Sequence, residues 1–377
     1  RSVGLCALKK RLIEPWGLVS ELDRFSNLNS PGWDDFVVGG HEIRPVSLAD
    51  EALRLSTESR AIDANLIAQC KAELDRIDRR VRPGTIWNVG PTVANLAGPE
   101  VPHRESPAAA IARLRKDMTD FAETNALKHV IVVNVASTEP PTEAEGLPAR
   151  WAELQQSIGR PRTCPLRASS LYAIAALESG YSYINFTPSL GSAPEAIHEL
   201  AVSRGTRHMG CDGKTGETLL KSVLAPMFAQ RNLHVMSWVG HNIFGNMDGR
   251  VLADPVNKQT KIASKDHLIR QILGYQAQTL VSIEYIKSLG DWKTAWDHVH
   301  FQGFLGTPMT FQFVWQGCDS LLAAPLVLDL IRFTAMAWRR GETGRLEFLA
   351  SFFKSPYGVE EQDFTRQFQM LEAWAGK

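Results

Sequence analysis

The sequence predicts an α/β protein with a parallel-sheet domain of βαβ-like order and a second domain built on a mixed or antiparallel sheet. Three observations predict it. Short β-branched runs alternate with charged helical patterns through the first half. One of these runs, from Val130 to Val135, is apolar on both faces, the mark of a strand inside a parallel sheet. After Gly216 the texture changes to half-buried strands of a mixed or antiparallel kind. At 377 residues the chain exceeds the usual size of one hydrophobic core, so two domains are expected.

In chain order, GLVSEL from Gly17 and DFVVGGHEIR from Asp35 read as strands. AQCKAELDRIDRRV and AAAIARLRKDMTDFAE read as helices, giving a βαβ order before HVIVVNV. Pro140 to Gly159 is the expected mobile loop. SSLYAIAALESGYSYINFTPS reads as a helix, a stop at Gly180 and a strand ending in Thr187, Pro188 and Ser189. In open α/β sheets, ligands bind at that carboxyl edge. LHVMSWVGHN, TLVSIEYIKSL and TFQFVWQG form the second sheet. DSLLAAPLVLDLIRFTAMAWRR is a long apolar helix expected to pack back on the first domain, followed by a terminal helix in EEQDFTRQFQMLEAWAG.

Lys+Arg and Asp+Glu both number 41, so charge offers no attraction to nucleic acid or an anionic membrane. The five cysteines lack CxxC spacing, which points to a reducing, cytoplasmic setting rather than a disulfide scaffold or zinc cluster. No run approaches the roughly 18 apolar residues of a membrane span, and RSVGLCALKK lacks a signal-peptide core. The absence of HExxH and GxSxG gives no support to zinc-protease or serine-hydrolase chemistry; His241 and His300 are expected to be hydrogen-bonded structural residues.

Three polar clusters stand between Gly210 and Asp266. In GCDGKTGETLLKS, Thr215, Gly216, Glu217 and Thr218 precede a helix, where free N–H groups suit a phosphate; Thr215 is equally placed to cap that helix. GHNIFGNMDG presents Asn242, Asn246 and Asp248 around glycines, for hydroxyls, for a divalent cation, or simply as a turn. In NKQTKIASKD, Lys261 and Lys265 share one helix face, where repulsion and partial burial lower a lysine toward acid–base use; a solvated face is the plainer alternative. Lys293 and Lys354 sit among aromatics, and Asp319 opens the apolar helix as its expected cap.

Taken in order, FVVGGHEIR, VVNVASTEP, YINFTPS, GCDGKTGETLLKSVLAPM, GNMDGRVL, NKQTKIASKD, HVHFQGFLG, CDSLLAAPLVLDL and FFKSP resemble the myo-inositol-1-phosphate synthase family in its shorter prokaryotic form. The resemblance implies conversion of D-glucose 6-phosphate to 1D-myo-inositol 3-phosphate with recycled NAD, in a homotetramer. It implies a Rossmann-like, parallel-sheet NAD-binding domain of residues 1–216 and 320–377, interrupted by a central α+β catalytic and oligomerisation domain of residues 217–319. Catalytic positions fall on Lys261, Lys265, Lys293, Lys354, Asp248 and Asp319. Phosphate contacts fall on Thr215 to Thr218, with Asn242 and Asn246. Cofactor contacts fall on Glu42, Ala136, Ser137, Thr138, Thr187, Ser189, Asp212, Asp319 and Ser320, with Glu21 a rival to Glu42 for the ribose. Asp248 also marks where a divalent or monovalent cation could sit. No GxGxxG occurs, and RSVGLCALKK matches the helix after the family's glycine loop, so the first strand and that loop are expected upstream of Arg1. A related NAD-dependent cyclase or dehydrogenase on another phosphorylated sugar, and a degraded structural subunit, remain the alternatives.

Overall fold

The computed structural model describes residues 1–142, 146–246, 249 and 268–377. Two short parallel strands, β1 (Gly40–Glu42) and β2 (Val81–Pro83), pair with each other. A four-stranded parallel sheet follows, built from β3 (Ile131–Asn134), β4 (Ser182–Asn185), β5 (Arg207–Gly210) and β10 (Gly344–Arg345) in the order β10-β5-β4-β3.

Successive side chains of a strand face opposite sides of its sheet. Tyr183 accordingly joins a core with Leu114, Leu154, Leu171 and Leu200, while Ile184 joins another with Met209, Leu330, Phe333 and Phe353. Helices Pro107–Thr124 and Ala168–Glu178 cover the first face, and Asp319–Arg339 covers the second. The long helix therefore packs back on the parallel sheet as its apolar sequence predicted. Burying each Leu, Ile or Phe here contributes about 1.5–3 kcal/mol. The strand VIVVNV is present, but Ile131–Asn134 is half-buried rather than sealed on both faces.

The second sheet has the order β7-β6-β8-β9, from β6 (His234–Phe244), β7 (Gln278–Tyr285), β8 (Trp292–Gln302) and β9 (Pro308–Cys318). β6 and β7 are parallel, and the other pairs are antiparallel. Helix Glu217–Gln230 packs on its inner face through Phe228 against Trp238 and Val299. On the outer face His241 stacks on Trp296 with ring centroids 5.5 Å apart, and Leu280 and Val314 are exposed.

Four sequence expectations need correction. GLVSEL is no strand: Val19–Glu21 forms a 3-10 turn because Asp329, far along the chain, accepts the Val19 and Ser20 N–H groups at 2.7 and 2.9 Å. Pro140 to Gly159 contains helix Trp151–Ile158, whose first N–H donates to Glu199 at 2.7 Å. β8 went unrecognised. Asp319–Arg339 is long and apolar enough to cross a membrane, contrary to the expectation, but it serves as a core helix: Leu330 and Phe333 are fully buried.

Candidate active site

The carboxyl ends of β1, β3, β4 and β5 open on one cleft of about 2200 Å³. Glu42 ends β1, Ala136 to Thr138 follow β3, Thr187 follows β4, and Asp212 with Thr215 to Thr218 follows β5; all line the cleft. The second sheet and its neighbours contribute Asn246, Lys293, Asp319 and Ser320, and Lys354 completes the wall. The volume exceeds the roughly 300–1,000 Å³ of a usual small-molecule pocket.

Backbone bonds fix the floor. Asp212 has φ 60, in the left-handed region that few non-glycine residues adopt. Its N–H donates to Thr187 O at 3.0 Å, and its carbonyl accepts from Lys354 N at 2.7 Å. Gly213 must be glycine, since a Cβ there would stand 2.1 Å from the Phe186 ring. Lys354 Nζ donates to Asp212 Oδ1 at 2.8 Å, with both side chains buried. Asp212 Oδ2 is buried with no partner among the described residues, so an N–H or O–H from a ligand would satisfy it.

Across the cleft Lys293 Nζ lies 3.3 Å from Asp319 Oδ2 and 5.7 Å from the centroid of the Phe244 ring. Asp319 is the first helical residue, and Cys318 occupies the N-cap, so the expected cap gives way to an ion pair. Ser320 Oγ donates to Asp291 Oδ1 at 3.4 Å. Buried Asp291 also pairs with Arg54 at 3.3 Å and takes the Ser59 hydroxyl at 3.3 Å. Asp291 thereby ties the helix Leu48–Thr57 region to the start of β8.

Helix Glu217–Gln230 begins at the cleft with Gly216 as N-cap, so Thr215 is not the cap. Thr218 Oγ1 is buried and without a partner among the described residues, as are both amide atoms of Asn242. Asn242 lies on the sheet face that meets this helix but behind the cleft lining. The Glu217 side chain is turned away from any anion. It accepts from Lys221 Nζ at 2.6 Å, and Lys221 is 3.2 Å from Asp297, which also accepts from Trp238 Nε1 at 2.7 Å. Gly240 makes room for this triad: a Cβ there would be 2.8 Å from Glu217 Oε1. One ammonium cannot neutralise two buried carboxylates. Burial, together with Glu217, pushes Asp297 up against the opposing pull of Lys221; burial alone would lower Lys221, but the two acids raise it.

Glu42 Oε1 accepts from Ile43 N and Arg44 N, and Oε2 pairs with Arg44 at 3.0 Å. The rival Glu21 is held by Arg332, away from the cleft. Ser189 is 3% exposed and lies behind Thr187, its hydroxyl accepting from Glu139 N rather than facing the cleft. His241 points to the outer sheet face, with Nδ1 2.6 Å from Ser282 Oγ, as a structural residue should. Lys261, Lys265 and Asp248 lie outside the described residues. Among the described residues no cluster of His, Cys, Asp or Glu suits a metal.

Sequence reasoning missed Lys221, Asp291, Asp297 and Glu139. Lys221 was legible as an i+4 partner of Glu217. Glu139 directly follows Thr138, but its buried role depends on the distant Ser169.

The parallel sheet and its cleft define an α/β enzyme with a Rossmann-like NAD-binding domain. A family model described as myo-inositol-1-phosphate synthase, of an NAD-binding type, matches residues 22–375. Inositol-3-phosphate synthase 1 of Bacteroides thetaiotaomicron is 30% identical over 98% of this chain and 90% of its own length. The Saccharomyces cerevisiae inositol-3-phosphate synthase is 34% identical over 61% of this chain, a match spanning only 45% of the yeast protein. Inositol-3-phosphate synthase from Caenorhabditis elegans superposes with a TM-score of 0.85 over 99% of this chain and 82% of its own, at 23% identity. A related protein from Thermotoga maritima gives 0.78 over 100% and 95%, at 24% identity. At such identities the structures establish the shared fold. The chain belongs to the myo-inositol-1-phosphate synthase family.

Proposed function

We propose that the protein is an NAD-dependent inositol-3-phosphate synthase acting on D-glucose 6-phosphate. The observation that carries this reading is the meeting, in one cleft, of a dinucleotide-type strand edge with the start of helix Glu217–Gln230 and two carboxylate-paired lysines. Making a six-membered carbon ring from a hexose chain requires a bond between C1 and C6. Oxidation at C5 makes C6 acidic, so loss of a C6 proton gives an enolate that attacks the C1 aldehyde. The new C1 alkoxide takes a proton, and reduction at C5 leaves an isomer of the starting sugar phosphate.

The residues present suit NAD. Glu42 stands where a Rossmann fold offers a carboxylate to ribose hydroxyls, Ala136 to Thr138 and Thr187 offer backbone and hydroxyl groups, and Asp212 Oδ2 awaits a donor. When bound, NAD supplies reversible uptake of one hydride. Thr215 to Thr218 hold the phosphate through helix N–H groups and the free Thr218 hydroxyl. Lys354 and Lys293 polarise carbonyl oxygens and stabilise developing oxyanions, each placed by its carboxylate partner. Lys265 relays the proton at C5 and Lys261 assists at the oxyanions, as their family positions imply. Asn246 and Asp248 orient hydroxyls or hold a cation.

The division at residues 217 and 319 falls where the parallel sheet gives way to the mixed one, which supports assigning cofactor binding to one part and catalysis to the other. The exposed Leu280 and Val314 beside the His241–Trp296 stack support a homotetramer formed through the outer sheet face, and five free cysteines support a reducing cytoplasmic location. Incubating full-length protein with glucose 6-phosphate and NAD, then assaying periodate-labile inositol phosphate, tests the reading. Product formation is expected; NAD binding without product would overturn it.

A further inference from the structure

Glu139 borders the cleft yet is only 5% exposed, and none of the roles above uses its side chain. Its Oε1 accepts from Ser169 N at 2.8 Å, and its Oε2 accepts from the Ser169 hydroxyl. Its own N–H donates to Ser189 Oγ at 3.0 Å. Ser169 is the second residue of helix Ala168–Glu178, and its hydroxyl also accepts from Gly191 N at 3.0 Å. Ser189 N in turn donates to Thr187 Oγ1 at 3.2 Å.

Glu139 thus joins three segments: its own loop leaving β3; through its carboxylate, the first turn of a helix; and, through its backbone N–H and the Ser169 hydroxyl, the loop leaving β4. The two loops are those that present Ala136 to Thr138 and Thr187 to the cleft. The two bonds from Ser169 come from neutral donors at a helix N-terminus, where negative charge is favoured, with the Ser189 hydroxyl and the Arg167 charge also near. Burial pushes the acid up to about 7, opposed first by the bonds from Ser169. Keeping a buried acid in this position is costly, and packing alone would be served by an apolar residue. The cost is understandable if the two loops must be held to within fractions of an ångström for a ligand lying across them.

We propose that Glu139 is a positioning residue for the dinucleotide, setting the loops after β3 and β4 at the spacing that the cofactor bridges. This rests on the reading that NAD occupies the cleft. The residue borders the part of the cleft lined by Ala136 to Thr138 and Thr187, and its hydrogen bonds involve neither Lys293 nor Thr218, so its removal separates cofactor affinity from sugar-phosphate affinity.

The test is isothermal titration of full-length protein with NAD, and of the NAD-saturated protein with glucose 6-phosphate. Glu139→Ala should weaken NAD binding roughly tenfold, as expected for stranding the donors of Ser169, with sugar-phosphate affinity unchanged. Glu139→Gln should restore NAD binding to within roughly twofold, because its amide oxygen still accepts from Ser169 N and the serine hydroxyl can turn to accept from the amide N–H. If Glu139→Ala does not fold, Ser169→Ala carries the test with an expected threefold or so weakening of NAD binding alone. Unchanged NAD affinity, an equal loss for both ligands, or no rescue by glutamine overturns the proposal. Wild-type protein that fails to bind NAD would instead overturn the functional reading on which it rests.

Discussion

The two walls of the cleft satisfy their buried acids by opposite means. On the parallel-sheet side, Glu139 is held by Ser169, and behind that wall Asp329 is held by the Val19 and Ser20 N–H groups. On the side that meets the mixed sheet, Lys221 serves Glu217 and Asp297, and Lys293 serves Asp319, while the Lys354–Asp212 pair stands between the two. Neutral donors leave an acid easily protonated: burial raises Glu139 to about 7 and Asp329 to about 6. A lysine partner pulls its acid toward the charged form, although burial and Glu217 still push Asp297 up where two acids share Lys221, and each pair keeps an ammonium group in place in a partly dry site. A wall of the first kind suits a cofactor read by shape and hydrogen bonds. A wall of the second kind suits a phosphate and a succession of oxyanions.

Breaking the lysine wall should therefore have the larger consequences. Lys265→Ala should lower turnover by roughly 10²–10⁴, the range for a lost acid–base group, with NAD binding intact in a titration. Lost NAD binding would contradict the proton-transfer role proposed for that lysine. Lys221→Met should destabilise the fold by about 3–5 kcal/mol in urea unfolding, because it leaves two buried carboxylates without a cation. A change under about 1 kcal/mol would mean that the triad holds its charge differently from the geometry described.

The neutral-donor wall should reveal itself through pH. The folded pKa of Asp329, about 6, lies above the ordinary carboxylate value, so the folded state binds the proton more tightly. The stability this adds is fully present below about pH 4 and is lost as pH rises through about 6. Thermal melts of wild type and Asp329→Asn should then differ in slope between those limits, the wild type losing more; parallel curves would contradict the assignment. The smallest effect belongs outside both walls. Glu58→Gln removes a largely exposed partner of Arg54 and should shift stability by no more than about 0.5 kcal/mol.

The same contrast explains what the sequence made legible. Ala168–Glu178, Gly180 at φ 83 and Ser182–Asn185 follow from local pattern, as do the helices that cover the sheet. Thr187 was found at a strand end, Lys354 as a lysine among aromatics, and Asp212 through the family resemblance. GLVSEL misled because its conformation is set by Asp329, more than three hundred positions away. β8 was missed because WKTAWDHVHFQ carries Lys293 and Asp297 on its inner face, where an amphipathic strand would show apolar residues. Those charges are tolerable only because Asp319, Lys221 and Glu217 arrive from other elements. Thr215 was read as a cap because its hydroxyl type fits that role, whereas the chain places Gly216 there and leaves the Thr218 hydroxyl without a partner among the described residues. Local signals thus reveal the elements and many of the cleft residues; long-range ion pairing decides how the charged wall is assembled.

The central claim is that the two walls together run a reaction whose oxidation is undone within the same turnover. Glucose 6-phosphate carrying deuterium at C5, turned over by full-length protein in ordinary water with NAD, tests this most directly by mass spectrometry of the product. The account predicts inositol phosphate that retains the deuterium, with no build-up of NADH. Accumulating NADH, or inositol phosphate that has lost the label, would contradict it.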